Sequence, residues 1–301
     1  MLTYTQISKN KTYSVLLIMV FLLVIIGLGF VFSQAYGAPE ILLLAVVFSS
    51  VSAIISYFFS DQIALSMSGA TQIDLNANPE LYRIVENLSI AAGLPMPRVY
   101  IIEDSALNAF ATGRNPDNAV IAVTTGLLQK LDKTELEGVL AHELSHIGNY
   151  DIRFMALVVV LVGIITLLAD WMLRMSFFGG NRKNSEGGGN NGVFLLIGIG
   201  LAILSPIVGM LIQLAVSRQR EYLADATGAL MTRYPEGLAS ALEKIAADHE
   251  PLETANKATA HLYISNPLKD HEGDGQSWFA GLFNTHPPIE ERIKRLRGMD
   301  K

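Results

Sequence analysis

The chain has 301 residues, half of them hydrophobic and 17% charged, with a net charge of −6 and no cysteine. The missing cysteine excludes disulfides, thiolate zinc sites and cysteine nucleophiles. A charged fraction below the roughly 25% of soluble proteins favours a membrane protein. The chain is acidic and has no cluster of lysine and arginine before its last dozen residues, which argues against nucleic acid as a partner.

The first sixty residues are predicted to form a membrane hairpin. Residues 13–32 carry no charge and are long enough to cross about 30 Å of hydrocarbon, and a second apolar segment follows at 41–59. A signal peptide is the alternative for the first segment, because Lys9 and Lys11 precede it and a small-x-small triplet follows it. Its apolar core is longer than the usual about 7 to 15 residues, which favours a retained anchor at residues 1–60.

The charges beside this hairpin predict its orientation. Lys9 and Lys11 precede the first span, and the loop at 33–40 has no basic residue, so the N-terminus is expected in the cytoplasm. Residues 61–153 would then form the first part of a cytoplasmic domain. An amphipathic helix and three short strands of a small antiparallel or mixed sheet are predicted there, at 79–92, 98–102, 107–112 and 119–124.

The segment AHELSHIGNYD specifies a chemistry. Asp132 and Glu135 form a capping box that begins a helix running through it, so His142 and His146 lie on one face, about 40° apart. Two neutral imidazoles at this spacing can bind one Zn²⁺, and the flanking Glu143 can reach a water at the open metal position. This H-E-x-x-H pattern predicts two metal ligands and a general base.

A second apolar hairpin is predicted at residues 154–216, with segments at 154–175 and 193–216 joined by a loop rich in Asn and Gly. Arginine and lysine in this loop fit poorly with an external location, so both a full crossing and a dip into the membrane remain open. In either case the hairpin returns to the side that it left. The chain after residue 216 is therefore expected beside His146.

A zinc site of this type needs a third protein ligand, and Glu221 is the candidate. Asp225 lies one helical turn further on, where it could accept the second ring N–H of His142. The alternative is a solvated helix face with ion pairs to Arg218 and Arg220. Because the hairpin delivers this helix to the histidines, ligation is favoured, and residues 217–301 become the second part of the domain.

The last stretch contains one more candidate. His286 precedes two prolines and could donate to the oxyanion of a reacting carbonyl, although a lone histidine is more often structural. A further amphipathic helix is predicted at 235–248, and a short charged helix at 289–297 is interpreted as a solvated face, with Glu291 and Arg295 as an exposed pair.

Several of these motifs occur together. HELSH followed by GNYD, two hydrophobic segments, SRQREYLADA and then THPPIEERI resemble the HtpX family, and NAFATG at 108–113 extends the resemblance over nearly the whole chain. These are membrane-embedded zinc endopeptidases of the bacterial envelope, distantly similar to CAAX prenyl proteases. The resemblance implies a zincin-like α+β domain with four transmembrane helices in the bacterial inner membrane, and a cytoplasmic active site.

The resemblance also implies the site and the role. One Zn²⁺ per chain would be held by His142, His146 and Glu221, in an enzyme that clears damaged or misassembled membrane proteins under stress. The strand at Asn108, Ala109 and Phe110 would bind an extended peptide through its backbone; an ordinary edge strand is the alternative. The alternative functions are a prenyl-protein protease, which would need more spans, and a membrane scaffold with structural or no zinc.

Overall fold

Two long apolar helices begin the chain in the computed structural model, which describes residues 3–178, 200, 218–248, 250–253, 262–265 and 287–299. Helix α1 covers Thr3–Tyr36 and helix α2 covers Glu40–Met67. They pack closely because Gly29 leaves room for Ala45. Both are long and apolar enough to cross a membrane, as the sequence predicts for 13–32 and 41–59.

The predicted second hairpin is described in part. Helix α6, Asp151–Phe178, packs against α1 and α2 and covers the predicted third span. The predicted fourth span at 193–216 lies outside the described residues, apart from residue 200. The arrangement of four membrane helices therefore stays a prediction.

A mixed four-stranded sheet lies beside these helices. Its strands are β1 (Thr71–Gln72), β2 (Arg98–Ile102), β3 (Ala109–Gly113) and β4 (Ala119–Thr124), in the order β1-β2-β4-β3. The pair β2 and β4 is parallel and the other two pairs are antiparallel, so β3 is an edge strand. The sequence predicts the last three strands, whereas two-residue β1 is too short to show an alternating pattern.

Two shorter helices follow β1 and β4 along the chain. Helix α3, Pro79–Ala92, begins where the Asn78 side chain accepts from the Leu81 N–H, and it ends at Gly93, whose φ is +65°. Both ends agree with the prediction. Helix α4, Thr125–Lys130, was not predicted because six residues carry too little periodicity.

Helix α5, Lys133–Gly148, is the central element and carries the HELSH residues. The predicted capping box is present: the Asp132 side chain accepts from the Glu135 N–H, and the Glu135 carboxylate accepts from the Asp132 N–H. Helices α7 (Arg218–Thr232) and α8 (Pro235–Ala247) pack against α5. This packing buries nearly every side chain from Leu136 to Ile147, so His142, Glu143 and His146 lie in the core.

The junction of α5 with α6 is sharply bent. The two helix axes differ by 83°, and Tyr150 between them has φ of +61°. A left-handed conformation is uncommon for a bulky residue and stops a helix at once. The bend brings Asp151, the first residue of α6, back towards the last turn of α5.

The last described element is helix α9, Ile289–Arg297, with the predicted bounds. Its interpretation as a solvated face is wrong for one side. Arg292 and Leu296 are both fully buried, whereas Glu291 and Arg295 form the predicted exposed ion pair. The buried side matches a stripe at spacings of three, four and seven residues that starts at Ile289.

Candidate metal centre

Three buried side chains converge where α5 meets α7. His142, His146 and Glu221 each offer a ligand atom, and these atoms all lie within 4.8 Å of one another. The two Nε2 atoms are 3.1 Å apart, and the Glu221 carboxylate oxygens lie 3.7 Å from His142 Nε2 and 3.5 Å from His146 Nε2. Tetrahedral zinc with bonds of about 2.0 to 2.2 Å requires ligand separations of about this size.

A second carboxylate orients each imidazole. Asp225 Oδ1 lies 2.9 Å from His142 Nδ1, and Asp151 Oδ2 lies 3.0 Å from His146 Nδ1. Since a carboxylate accepts the proton on Nδ1, the lone pairs of both Nε2 atoms point towards each other in a buried space. A cation between them relieves this repulsion, so the donor set fits a metal ion such as zinc.

The surroundings shift the pKa values of these groups. Burial lowers the pKa of His142. Burial opposes protonation of His146 as well, but the Asp151 hydrogen bond and the Glu221 charge prevail and raise its pKa to about 9, so a metal ion would bind His146 by displacing the proton on Nε2. Burial would raise the pKa of Asp225, yet Arg292 and His142 hold it at about 2, so Asp225 remains an anion and a permanent acceptor.

Glu143 lies next to the cluster on the same helix and is also buried. Burial is the main cause that raises its pKa to about 7. The backbone of Ala111 on edge strand β3 acts in the opposite direction and lowers this pKa. Glu143 therefore faces the gap between the metal ligands and the sheet edge, with a proton affinity suited to proton transfer near neutral pH.

Arg292 completes the cluster and was missed by the sequence analysis. Its Nε and Nη2 donate to Asp225 at 2.9 and 2.7 Å, and its Nη1 donates to the Ile264 carbonyl at 3.2 Å. Nη1 also lies 3.6 Å from the Glu221 carboxylate. The guanidinium thus offsets part of the negative charge of the site. A charged residue inside the apolar stripe of α9 was the available signal.

Asp151 was also missed as a functional residue, although GNYD contributes to the family resemblance. Its contact with His146 depends on the left-handed conformation of Tyr150, which five-residue spacing alone does not predict. The solvated-face alternative for Glu221 and Asp225 is wrong, because both side chains lie in the core. His286 lies outside the described residues.

The predicted substrate strand is partly occupied by the chain itself. The Ala109 carbonyl accepts from the Ile264 N–H at 3.0 Å, and the Asn108 side-chain amide donates to the Ser265 carbonyl at 3.3 Å. Phe110 is fully buried, with its ring edge-on to that of Tyr263. The part of β3 next to Glu143 begins at Ala111, two residues after Ala109.

Comparisons with known proteins place this geometry in context. Residues 75–300 match the family described as Peptidase family M48. The chain is 48% identical over 296 residues to the "Protease HtpX homolog" of Tropheryma whipplei strain Twist, covering 98% of each chain. It is 51% identical over 267 residues to the homologue from Syntrophobacter fumaroxidans, covering 88% of this chain and 92% of that one.

A solved structure shares the fold. The crystal structure of S. mikatae Ste24p superimposes with a TM-score of 0.52 at 21% sequence identity. The match covers 90% of this chain but 62% of that chain, so the protein spans less than two thirds of the length of Ste24p.

Proposed function

The chain belongs to peptidase family M48, among the HtpX-type membrane metalloproteases, and on that premise we propose that it is a zinc-dependent endopeptidase acting on polypeptides at a membrane. The convergence of two Nε2 lone pairs and one carboxylate next to Glu143 is the observation that carries this proposal. His142, His146 and Glu221 would hold the metal. Three protein ligands leave a fourth position for water or substrate, as in catalytic rather than structural zinc sites.

Bound zinc would supply Lewis-acid chemistry, by acidifying a water molecule and polarising a peptide carbonyl. Glu143 accepts the proton of that water as its oxygen attacks the carbonyl carbon. Glu143 then donates the same proton to the nitrogen of the departing amine. Burial raises the pKa of Glu143 in the metal-free chain, which makes this carboxylate a better proton acceptor than an exposed one. We place His286 as an additional donor to the oxyanion.

The edge of β3 is the proposed platform for the substrate. An extended peptide would pair with the backbone from Ala111 onwards, and its scissile carbonyl would lie beside Glu143. Hydrogen bonds between backbones depend little on the side chains of the substrate. The proposed substrates are therefore accessible unfolded segments of many sequences. Damaged or misassembled membrane proteins expose such segments close to a bilayer.

The proposed location is the bacterial inner membrane, with the N-terminus and the catalytic domain on the cytoplasmic side. The basic residues before the first span and the absence of basic residues from the loop after it support this orientation. Four spans are proposed, of which α1 and α2 have the length and hydropathy required.

Cleavage of casein by the detergent-solubilised full chain tests the proposal. We expect cleavage by the wild type, loss of cleavage with a chelator and recovery with Zn²⁺. Glu143→Gln should retain zinc and lose at least about 100-fold in rate, as expected for a general base. Glu137→Gln, on the exposed side of the same helix, is the matched control and should cleave normally. Undiminished cleavage by Glu143→Gln contradicts the mechanism, and bound zinc without any cleavage supports a scaffold instead.

A further inference from the structure

A side chain of the first helix reaches the surroundings of the metal ligands. Asn10 is buried, and its amide nitrogen donates to Asp151 Oδ1 at 2.6 Å and to the Asn149 carbonyl at 2.9 Å. The other oxygen of Asp151 accepts from His146 Nδ1. An unbroken series of hydrogen bonds therefore joins α1 to the imidazole of a proposed metal ligand.

We propose that Asn10 is a positioning residue for His146: it fixes the Asp151 carboxylate and, through it, the orientation of the imidazole towards the metal. This inference rests on the proposed zinc site. A ligating histidine relies on the acceptor at its other ring nitrogen for its tautomer and its angle. A carboxylate held through one oxygen can rotate about its Cβ–Cγ bond, whereas one held through both oxygens cannot.

The amide chemistry of Asn10 matches this role. A carboxamide offers two N–H donors at the end of a short side chain, and here it meets a carboxylate oxygen and a carbonyl oxygen. An aspartate of the same size would present a second anion to Asp151. An aliphatic residue would withdraw a hydrogen bond from a buried carboxylate and leave it to the His146 Nδ1–H and the charge of nearby Arg220.

The docking of α1 on α6 keeps Asn10 in place. The Asn10 carbonyl accepts from the buried Ser14 hydroxyl at 2.8 Å, and one turn further the apolar side chains of Leu17 and Phe21 pack into the cluster that contains Phe154. These α1 positions recur at intervals of three or four residues and so form one face of the helix. The face of α1 that packs against α6 thus includes Asn10 at its N-terminal end, beside the proposed metal site.

Zinc affinity of the full chain provides the test. The dissociation constant is measured by competition with a chromogenic chelator in the Glu143→Gln background, which prevents self-cleavage. We expect Asn10→Ala to weaken zinc binding about 3- to 10-fold, less than the 10- to 100-fold typical of direct partners of a ligand. Asn10→Asp keeps the size of the side chain but replaces the donor, and it should weaken binding at least as much.

A double-mutant cycle separates positioning from a general effect on structure. If Asn10 acts through Asp151, Asn10→Ala should change the zinc affinity of an Asp151→Ala protein by less than 2-fold, because nothing remains to be oriented. Equal losses in both backgrounds, or no loss for either Asn10 variant, overturn the proposal. Ser56→Ala is the matched control: it removes a buried hydroxyl of α2 whose hydrogen bond goes to the Ser52 carbonyl, away from Asn10 and Asp151, and it should leave the affinity unchanged.

The result is distinguishable from failure of the proposed function. A parent protein that binds no zinc contradicts the metalloprotease proposal itself. A parent that binds zinc as tightly as its Asn10→Ala and Asn10→Asp variants leaves that proposal intact and overturns only the role of Asn10.

Discussion

Arg292 and Asp225 form a buried ion pair with two hydrogen bonds, Nη2 to Oδ1 at 2.7 Å and Nε to Oδ2 at 2.9 Å. The same carboxylate accepts from His142 Nδ1. The pair joins α9 to α7 and fixes His142 of α5, so three segments that are distant in sequence depend on one guanidinium.

Replacing this guanidinium should destabilise the protein strongly. Arg292→Met leaves Asp225 buried without its main cation, and we expect a loss of about 3–5 kcal/mol in the free energy of unfolding, with weaker zinc binding. Thermal unfolding in detergent and zinc competition measure the two effects. Arg295→Met removes the exposed pair with Glu291 and should cost less than about 1 kcal/mol. Similar losses in the two variants would contradict the structural role of Arg292.

Gly228 sets the distance between α7 and α5. A Cβ at this position would lie 2.9 Å from the backbone nitrogen of His142 and 3.1 Å from the carbonyl carbon of Ala141. We expect Gly228→Ala to cost about 1–3 kcal/mol through overpacking, and to weaken zinc binding because Glu221 moves away from the histidines. In α6, Gly163→Ala meets no atom within 4 Å and should melt at the same or a higher temperature. Unchanged zinc affinity of Gly228→Ala would show that α7 can adjust.

Glu135 should make stability depend on pH. Burial would raise its pKa, but hydrogen bonds from Lys244, Ser240 and the Asp132 N–H lower it below the ordinary value of 4.5. Its contribution is therefore present above pH 4.5 and is lost as the pH falls through the lower folded-state pKa. In metal-free protein, Glu135→Gln should lose about 1–3 kcal/mol at pH 7, and this difference should vanish under acid conditions.

Melting curves of the wild type and Glu135→Gln between pH 3 and pH 7 measure this effect. Glu137→Gln is again the control, because its contact with Lys133 is long at 4.0 Å and exposed. A difference for Glu135→Gln that stays constant over the whole range would exclude the carboxylate charge as its cause.

Zinc should stabilise the folded chain. The site holds several buried acidic groups near two converging lone pairs, so a divalent cation binds the native state in preference to the unfolded state. Free zinc at 100 times its dissociation constant should add about 2.7 kcal/mol to the free energy of unfolding. The melting temperature should rise with zinc in the wild type and stay constant in Glu221→Gln. A rise of equal size in that variant would place the zinc elsewhere.

The local part of the site was predictable and the tertiary part was only partly so. His142, Glu143 and His146 lie within five residues on a helix whose capping box the sequence predicts, so the common face of the two histidines, with Glu143 beside it, follows from helical geometry. Glu221 was inferred because a membrane hairpin must return to its starting side. These inferences needed only local periodicity and the length of apolar segments.

Arg292, Asp151 and Asn10 depend on how separate segments meet. A polar residue at the start of an apolar helix normally marks the membrane interface, and nothing in the sequence links Asn10 to a residue 141 positions away. The contact of Asp151 with His146 requires a left-handed Tyr150. The burial of Arg292 could have been predicted, because it is the one charged residue in the apolar stripe of α9. Its pairing with Asp225 could not.

The bend at Tyr150 would set the distance between the proposed active site and the lipid. Because α6 packs along α1 and α2, a bilayer crossed by those two helices would have α6 running along its normal, and an 83° turn would then lay α5 nearly flat on its surface. The catalytic residues would be held at a fixed height above the headgroups. The height of a peptide bond above the membrane surface, more than the amino-acid sequence around it, would then decide whether the enzyme can reach it.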